Sequence, residues 1–296
     1  MSSLSEPTEF TLPGGMLDAE GRCYRQGRLR PVTGEDEEWL HSLVPSSPHA
    51  SLVTALLSRC VLGIGPYSAT PDAIRDLSVG DRDYLMLRLR GATFGPSLSR
   101  VFTCPEARCG AKMDLDLLVT DFPVHERPAR HSHQLQVAGQ SGALLEIEYR
   151  VPRGREQELI AACPAGPREV LRDRFLESCI VRAALADDGA ELPFAALPAS
   201  SKEALADVLE ETSPRVELEV ELVCPECTHA FDVVFDPASL LFEEIGADRA
   251  AFERELHLLA FHYHWSLDEI LQLSRPRRQR FLRVLADELG KSRVWS

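Results

Sequence analysis

No run in this 296-residue chain approaches the ~20 consecutive apolar residues that a bilayer-spanning helix needs, so an integral helical membrane protein is not expected. Basic residues are scarce: 32 lysines and arginines stand against 46 aspartates and glutamates, a formal net charge of −14. Nucleic-acid binding asks for a concentrated basic face that neutralises phosphates. The one basic cluster, Arg275, Arg277, Arg278, Arg280 and Arg283, lies near the C-terminus and is expected to be a solvated helix face or a docking patch for an acidic protein. The nucleophile elbow, the phosphate-binding glycine loop and the His-Glu-x-x-His zinc motif are all missing. The paired acids Glu217 and Glu219 fall on the polar face of a predicted strand, so no enzyme is expected. The opening residues Met-Ser-Ser-Leu-Ser-Glu-Pro have neither the basic nor the apolar region of an export signal, which points to a reducing cytoplasm.

Apolar residues at 44% and charged residues at 26% are proportions of a folded globular protein, and the length suits two domains or one duplicated core. Eight cysteines in a reducing compartment suggest metal binding before disulfides. Four of them form two pairs, Cys104-Pro-Glu-Ala-Arg-Cys109-Gly and Cys224-Pro-Glu-Cys227-Thr-His229. Each pair lies between strand-like runs: Arg100–Thr103 and Lys112–Leu117 around the first, Val216–Val223 and Ala230–Asp236 around the second. A cysteine pair at a tight turn between strands is a zinc knuckle, and two knuckles complete a tetrahedral thiolate site. Pro105, Gly110 and Pro225 suit such turns, although the four-residue spacer of the first pair requires a looser one. The predicted metal ligands are therefore Cys104, Cys109, Cys224 and Cys227, holding a structural zinc ion with no open position for water. His229 is left out because four sulfurs suffice, and Cys23, Cys60, Cys163 and Cys179 are expected to be buried or incidental thiols.

The order of elements recurs along the chain. A hairpin over residues 10–31, turning near Gly14-Gly15, precedes a helix capped by Thr33, with acids in its first turn. Helices over 49–62 and 78–91 lead to the first knuckle. In the second half, Leu145–Pro152 alternates as a half-buried strand and passes into an acidic helix. Phe175–Ile180 then matches Leu56–Val61, and a helix opened by a Ser200–Glu203 capping box carries Leu205 and Leu209 in the places of Leu85 and Leu89. From Asp236 the pattern becomes helical: Asp236-Pro237 opens one helix as N-cap and first residue, and others follow over about 248–263, over 267–273 behind a Ser266–Glu269 capping box, and from Ser274 to about 289. His125, His131 and His133 lack cysteine or carboxylate partners at useful spacing, and His257, His262 and His264 cannot converge simply, so none is assigned chemistry. The expected fold is α+β. Two repeated helix-plus-hairpin lobes, residues 1–122 and 123–236, are joined by a zinc-ribbon-like four-cysteine site, and a helical C-terminal region covers 237–296.

Several stretches carry a family likeness: Leu12-Pro-Gly-Gly15, Leu29-Arg-Pro-Val-Thr33 with the following acids, Leu77-Ser-Val-Gly-Asp-Arg-Asp83, the two knuckles, His262-Tyr-His-Trp-Ser266, Glu269-Ile-Leu-Gln-Leu273 and Arg280-Phe-Leu282. Together they resemble the baseplate hub assembly proteins of T-even-type contractile phages, found also in phage-tail-like contractile injection systems. The resemblance implies a non-enzymatic protein that helps build the hub around the central spike. Its partners would be hub, spike or wedge proteins, with no nucleic acid, membrane or small-molecule substrate. It would reside in the cytoplasm during assembly or be retained in the tail. Trp265 and the arginines after it are the candidate contact site, since Trp and Arg are favoured interface anchors. The alternative class is a zinc-ribbon adaptor in transcription or protein quality control.

Overall fold

Phe10 and Leu12, two residues apart and both buried, define the inward face of the first strand, β1 (Thr8–Leu17). In the computed structural model, which describes residues 7–43, 49–139, 143–163, 166–246 and 249–292, β1 pairs antiparallel with β2 (Cys23–Leu29). The turn between them lies at Asp18–Arg22, where the Asp18 carboxylate accepts the Arg22 backbone N–H at 2.7 Å, and not at the predicted Gly14-Gly15. Those glycines form a bulge inside β1, with the register slipping between Thr11 and Met16 and Gly15 at φ 104°. Their freed N–H groups donate to the buried Asp81 carboxylate at 2.7 and 3.1 Å.

Helix α1 (Gly34–Leu43) starts as expected: Thr33 and Asp36 cap one another through N–H and side-chain oxygens. Helix α2 (His49–Cys60) ends sooner than its apolar pattern suggests. The Cys60 carbonyl accepts the Arg30 N–H at 2.9 Å, and the chain runs directly into β3 (Val61–Ile64) on the far edge of β2. Tertiary pairing here overrides helical propensity. Two helices capped by the hydroxyls of Thr70 and Ser78 follow, α3 (Pro71–Asp76) and α4 (Val79–Phe94). The first knuckle hairpin is β4 (Ser97–Thr103) and β5 (Lys112–Leu118).

The stretch after the first knuckle hairpin contains β6 (Val124–His125), and the second three-stranded sheet begins with β7 (His133–Ala138) and β8 (Leu144–Tyr149). Helices α5 (Gly154–Ala161) and α6 (Arg168–Cys179) intervene before β9 (Ile180–Leu185) closes that sheet in the order β7-β8-β9. In both three-stranded sheets a helix pair separates the second strand from the third, and the third strand follows directly on a buried cysteine, Cys60 or Cys179. Helix α7 (Ala199–Thr212) starts behind Pro198 with no side-chain cap, so the Ser200–Glu203 box is not formed.

The predicted strand 216–223 is divided into β10 (Arg215–Val216), which pairs with β6, and β11 (Glu219–Val223), which pairs with β12 (Ala230–Val234). The β6–β10 pairing brings His125 to 3.0 Å from Glu217, giving it the carboxylate partner that sequence spacing did not suggest. Among the described residues four helices follow: α8 (Pro237–Gly246), α9 (Arg249–Tyr263), α10 (Leu267–Leu271) and α11 (Arg275–Ser292). Position 248, where the second of them was expected to start, is outside the described residues. Among the described residues no helix is long and apolar enough to cross a membrane.

Among the described residues three apolar cores result. The first packs β1–β3, α2 and α4, together with Leu241, Phe242 and Ile245 of α8. The second lies under β7–β9, α6 and α7. The third, which includes Leu98, Phe122, Val216, Phe235 and Leu240, fills the space beneath the two knuckle hairpins. The hairpins are thus held from below by apolar packing and meet at their tips.

Candidate metal centre

Each knuckle is built by its backbone. The Cys104 N–H donates to the Ala111 carbonyl at 2.8 Å and the Cys224 N–H to the His229 carbonyl at 2.9 Å, closing each hairpin just below its tip. The longer first loop absorbs its two additional residues in a turn in which the Glu106 carbonyl accepts the Cys109 N–H at 2.9 Å. Proline after Cys104 and Cys224 fixes φ at the first bend. The residue after the second cysteine is left-handed in both knuckles: Gly110 at φ 61° and Thr228 at φ 58°.

The tips bring the sulfurs of Cys104, Cys109, Cys224 and Cys227 within 4.8 Å of one another. The closest approaches cross between hairpins, Cys104 to Cys227 at 3.6 Å and Cys109 to Cys224 at 3.7 Å. A tetrahedron with ~2.3 Å zinc–sulfur bonds has sulfur–sulfur edges of about 3.8 Å, so these spacings fit one metal ion shared by both pairs. All four cysteines are free of disulfides, and among the described residues no other cluster of His, Cys, Asp or Glu has metal-holding geometry. His229 stacks on Phe231 and gives the knuckle its carbonyl, not its ring.

Each sulfur also faces the backbone N–H two residues further on: Glu106, Ala111, Glu226 and His229. Sequence reading named the ligands but not these amides; the repeated Cys-Pro-Glu of both knuckles is the signal that could have found them. Burial pushes the Cys224 thiol up, but the amides of Cys227 and Glu226 outweigh it and bring it down to about 7. Burial raises Cys104 above the ordinary thiol range. Cys109 and Cys227, despite amides that favour their thiolates, are also held above it, by burial and by neighbouring sulfurs. Four thiolates this close repel one another, and a dication is the partner that lets all four ionise. The set is soft, four-coordinate and closed, which suits a structural zinc ion.

Thr228 is β-branched in a region where only glycine is comfortable, and its hydroxyl donates to the Cys227 carbonyl at 2.7 Å as partial compensation. Relief of the strain outweighs glycine's greater chain entropy. Thr228→Gly is therefore expected to stabilise the zinc-loaded protein by about 1 kcal/mol, and Gly110→Val to destabilise it by about 1–2 kcal/mol. Thermal unfolding of the two variants checks both signs.

The other residues singled out from the sequence lie outside this cluster. Cys60 and Cys179 are buried at helix ends, and burial pushes the Cys179 thiol up to about 12. Trp265 stacks on Tyr263 with ring centroids 4.8 Å apart and meets Phe281 edge-on at 4.9 Å, so it packs within the helical region. Of the arginine cluster, Arg278 is fully buried against Glu37 at 2.6 Å and Arg275 pairs with the same carboxylate at 3.2 Å. A local charge run cannot disclose a carboxylate 241 residues away.

A family model for the T4 bacteriophage base plate protein matches residues 22–243, a span that includes both knuckles. No curated protein and no solved structure matches the chain.

Proposed function

The chain belongs to the T4 bacteriophage base plate protein family, and from that premise we propose that it is a non-enzymatic structural or assembly protein of a contractile tail or tail-like injection-system baseplate. It helps build the hub around the central spike, and its partners are hub, spike or wedge proteins. It acts in the cytoplasm during assembly and is either released or retained in the particle. The observation that carries this reading is the family match across both cysteine hairpins, whose sulfurs converge with zinc-like spacing.

Cys104, Cys109, Cys224 and Cys227 hold one structural zinc ion, whose role is to fasten two sequence-distant hairpins. The chain consists of two related lobes, 1–122 and 123–236, and a helical region, 237–296. Matching detail supports the relation of the lobes. Arg30 and Arg150 each donate their N–H to the carbonyl of the buried helix-ending cysteine, Cys60 or Cys179, at 2.9 Å. The same arginines reach a buried acid three residues into the next helix, Arg30 to Asp36 at 2.5 Å and Arg150 to Glu156 at 3.0 Å. Joining the ends of such distant segments is entropically costly, and a metal clip offsets that cost.

Affinity capture of the tagged protein from its native cells, with mass spectrometry of the eluate and of purified particles, tests the reading. Spike, hub or wedge proteins are the expected companions, and presence in the particle distinguishes a component from an assembly factor. Polymerase subunits or chaperones in their place, or no companion at all, would overturn it.

A further inference from the structure

Two segments 196 residues apart share a pattern outside the knuckles: Thr70-Pro-Asp72-Ala-Ile74-Arg-Asp-Leu77-Ser78-Val-Gly-Asp-Arg82 and Ser266-Leu-Asp268-Glu-Ile270-Leu-Gln-Leu273-Ser274-Arg-Pro-Arg-Arg278. Each forms a short helix whose first hydroxyl accepts the N–H three residues on, at 3.2 and 3.3 Å. In each, the isoleucine and the arginine are fully buried. After the leucine-serine pair each continues into a long helix, α4 or α11.

Both segments dock in the same way. The Gly154 N–H donates to the Leu77 carbonyl at 3.1 Å and the Val79 N–H to the Pro152 carbonyl at 3.0 Å. At the other site the Gly34 N–H donates to the Leu273 carbonyl and the Arg275 N–H to the Val32 carbonyl, both at 3.1 Å. Ser78 faces Arg153, and Ser274 faces Thr33, as single antiparallel bridges. The arginine four residues after each serine lies over the receiving helix. Arg82 donates to Gln157 at 2.9 Å and Arg278 to Glu37 at 2.6 Å, and these acceptors both lie three residues after the receiving glycine. Glycine gives the hook room at both receptors: a Cβ at 154 would come within 2.4 Å of the Arg82 guanidinium, and one at 34 within 3.0 Å of the Leu271 backbone, so a side chain at either would push on the docked segment.

The segments are therefore copies of one hook, and the N-terminal turns of α1 and α5 are its two receptors. Hook 70–82 leaves its own lobe to engage the next, whereas hook 266–278 fills the receptor of the first lobe from the C-terminal region. Head-to-tail contacts of this kind serve equally well between separate chains. We propose that the receptor at Val32–Glu37 recognises the hook as a portable motif, and that the C-terminal hook of a second copy of this chain can occupy it in place of the chain's own. In dilute protein the tethered hook wins through its effective concentration, and copies held side by side in an assembly shift that balance. Hook and receptor are complementary in charge, because the C-terminal hook brings Arg275 and Arg278 to the two oxygens of Glu37.

Two full-length variants that complement one another test the proposal. Ile270→Asp/Arg278→Glu disables the hook and leaves the receptor, whereas Gly34→Val blocks the receptor and leaves the hook. Each alone should sediment as a monomer, and an equimolar mixture should give a species of twice that mass. No complex between variants that both keep their metal and unfold cooperatively would overturn the proposal. If either variant fails to fold, a synthetic 264–284 peptide is added to the unmodified chain and amide exchange is followed. Displacement of the chain's own hook by the peptide should keep Gly34 protected while exchange at Arg275 speeds up. General loosening would move both amides together, and no change at either would equally count against the motif being portable.

Discussion

Cys224→Ser is expected to abolish stoichiometric zinc binding and to lower the unfolding temperature by roughly 10 °C. A bound metal stabilises the native state by RT ln(1 + [L]/Kd), which is ~4 kcal/mol at a thousandfold excess over Kd. For a chain of this size each kcal/mol corresponds to about 2–4 °C. Cys224 is the ligand whose loss should matter most, since it is fully enclosed and its thiol is the one that the Glu226 and Cys227 amides bring down to about 7. The sulfurs make their closest contacts across the hairpins, so losing one ligand releases both tips and not just its own. Serine at Cys60 or Cys179 should leave the metal in place, because those thiols lie at helix ends in other cores. Metal analysis beside a thermal melt separates the cases, and retained zinc in Cys224→Ser would refute the shared site.

The second large effect is expected at Asp36, which is completely buried and accepts from Arg30 at 2.5 Å, Arg59 at 2.8 Å and the Thr33 N–H at 3.0 Å. Asp36→Asn removes the charge that neutralises two guanidiniums, and breaking a buried pair in this way costs ~3–5 kcal/mol. Burial alone would raise the Asp36 carboxyl, but Arg30 first, then the Thr33 amide and Arg59, bring it down to about 2. Its unfolded value lies near 4. Its contribution is therefore complete above pH ~4 and is lost as the pH falls toward ~2. Asp81 works in the opposite direction: burial pushes it up to about 6 against the amides of Gly14 and Gly15. The native state then binds the extra proton between pH ~4 and ~6, and this group adds stability as the pH falls through that window. Urea unfolding of wild type and Asp36→Asn from pH 6 to pH 2.5 should show the variant less stable at pH 6, with the gap closing below pH ~4. A constant gap would mean that the ion pairs are not its source.

The knuckle ligands were legible because metal coordination demands a residue type at a fixed spacing, and little else satisfies it. Helix caps at Thr33, Asp236 and Ser266 were legible for a similar reason, since a short polar side chain must meet orphan N–H groups within three residues. What stayed hidden depended on distant partners. Gly14-Gly15 suits a turn as well as a bulge until Asp81 is brought against it. Val61 continues a helical pattern until β2 claims the Cys60 carbonyl. Arg278 belongs to an exposed-looking basic run until Glu37 is placed under it. The hook pattern was present in the sequence throughout, but its six shared positions are spread over thirteen residues and become meaningful only when both copies are seen docked.

Zinc K-edge X-ray absorption on protein purified under reducing conditions, together with total metal content, tests the central claim most directly. One zinc per chain surrounded by four sulfurs at ~2.3 Å is the predicted result. A shell containing nitrogen or oxygen, or a protein that folds and stays metal-free with zinc supplied, would contradict a single closed site joining the two hairpins.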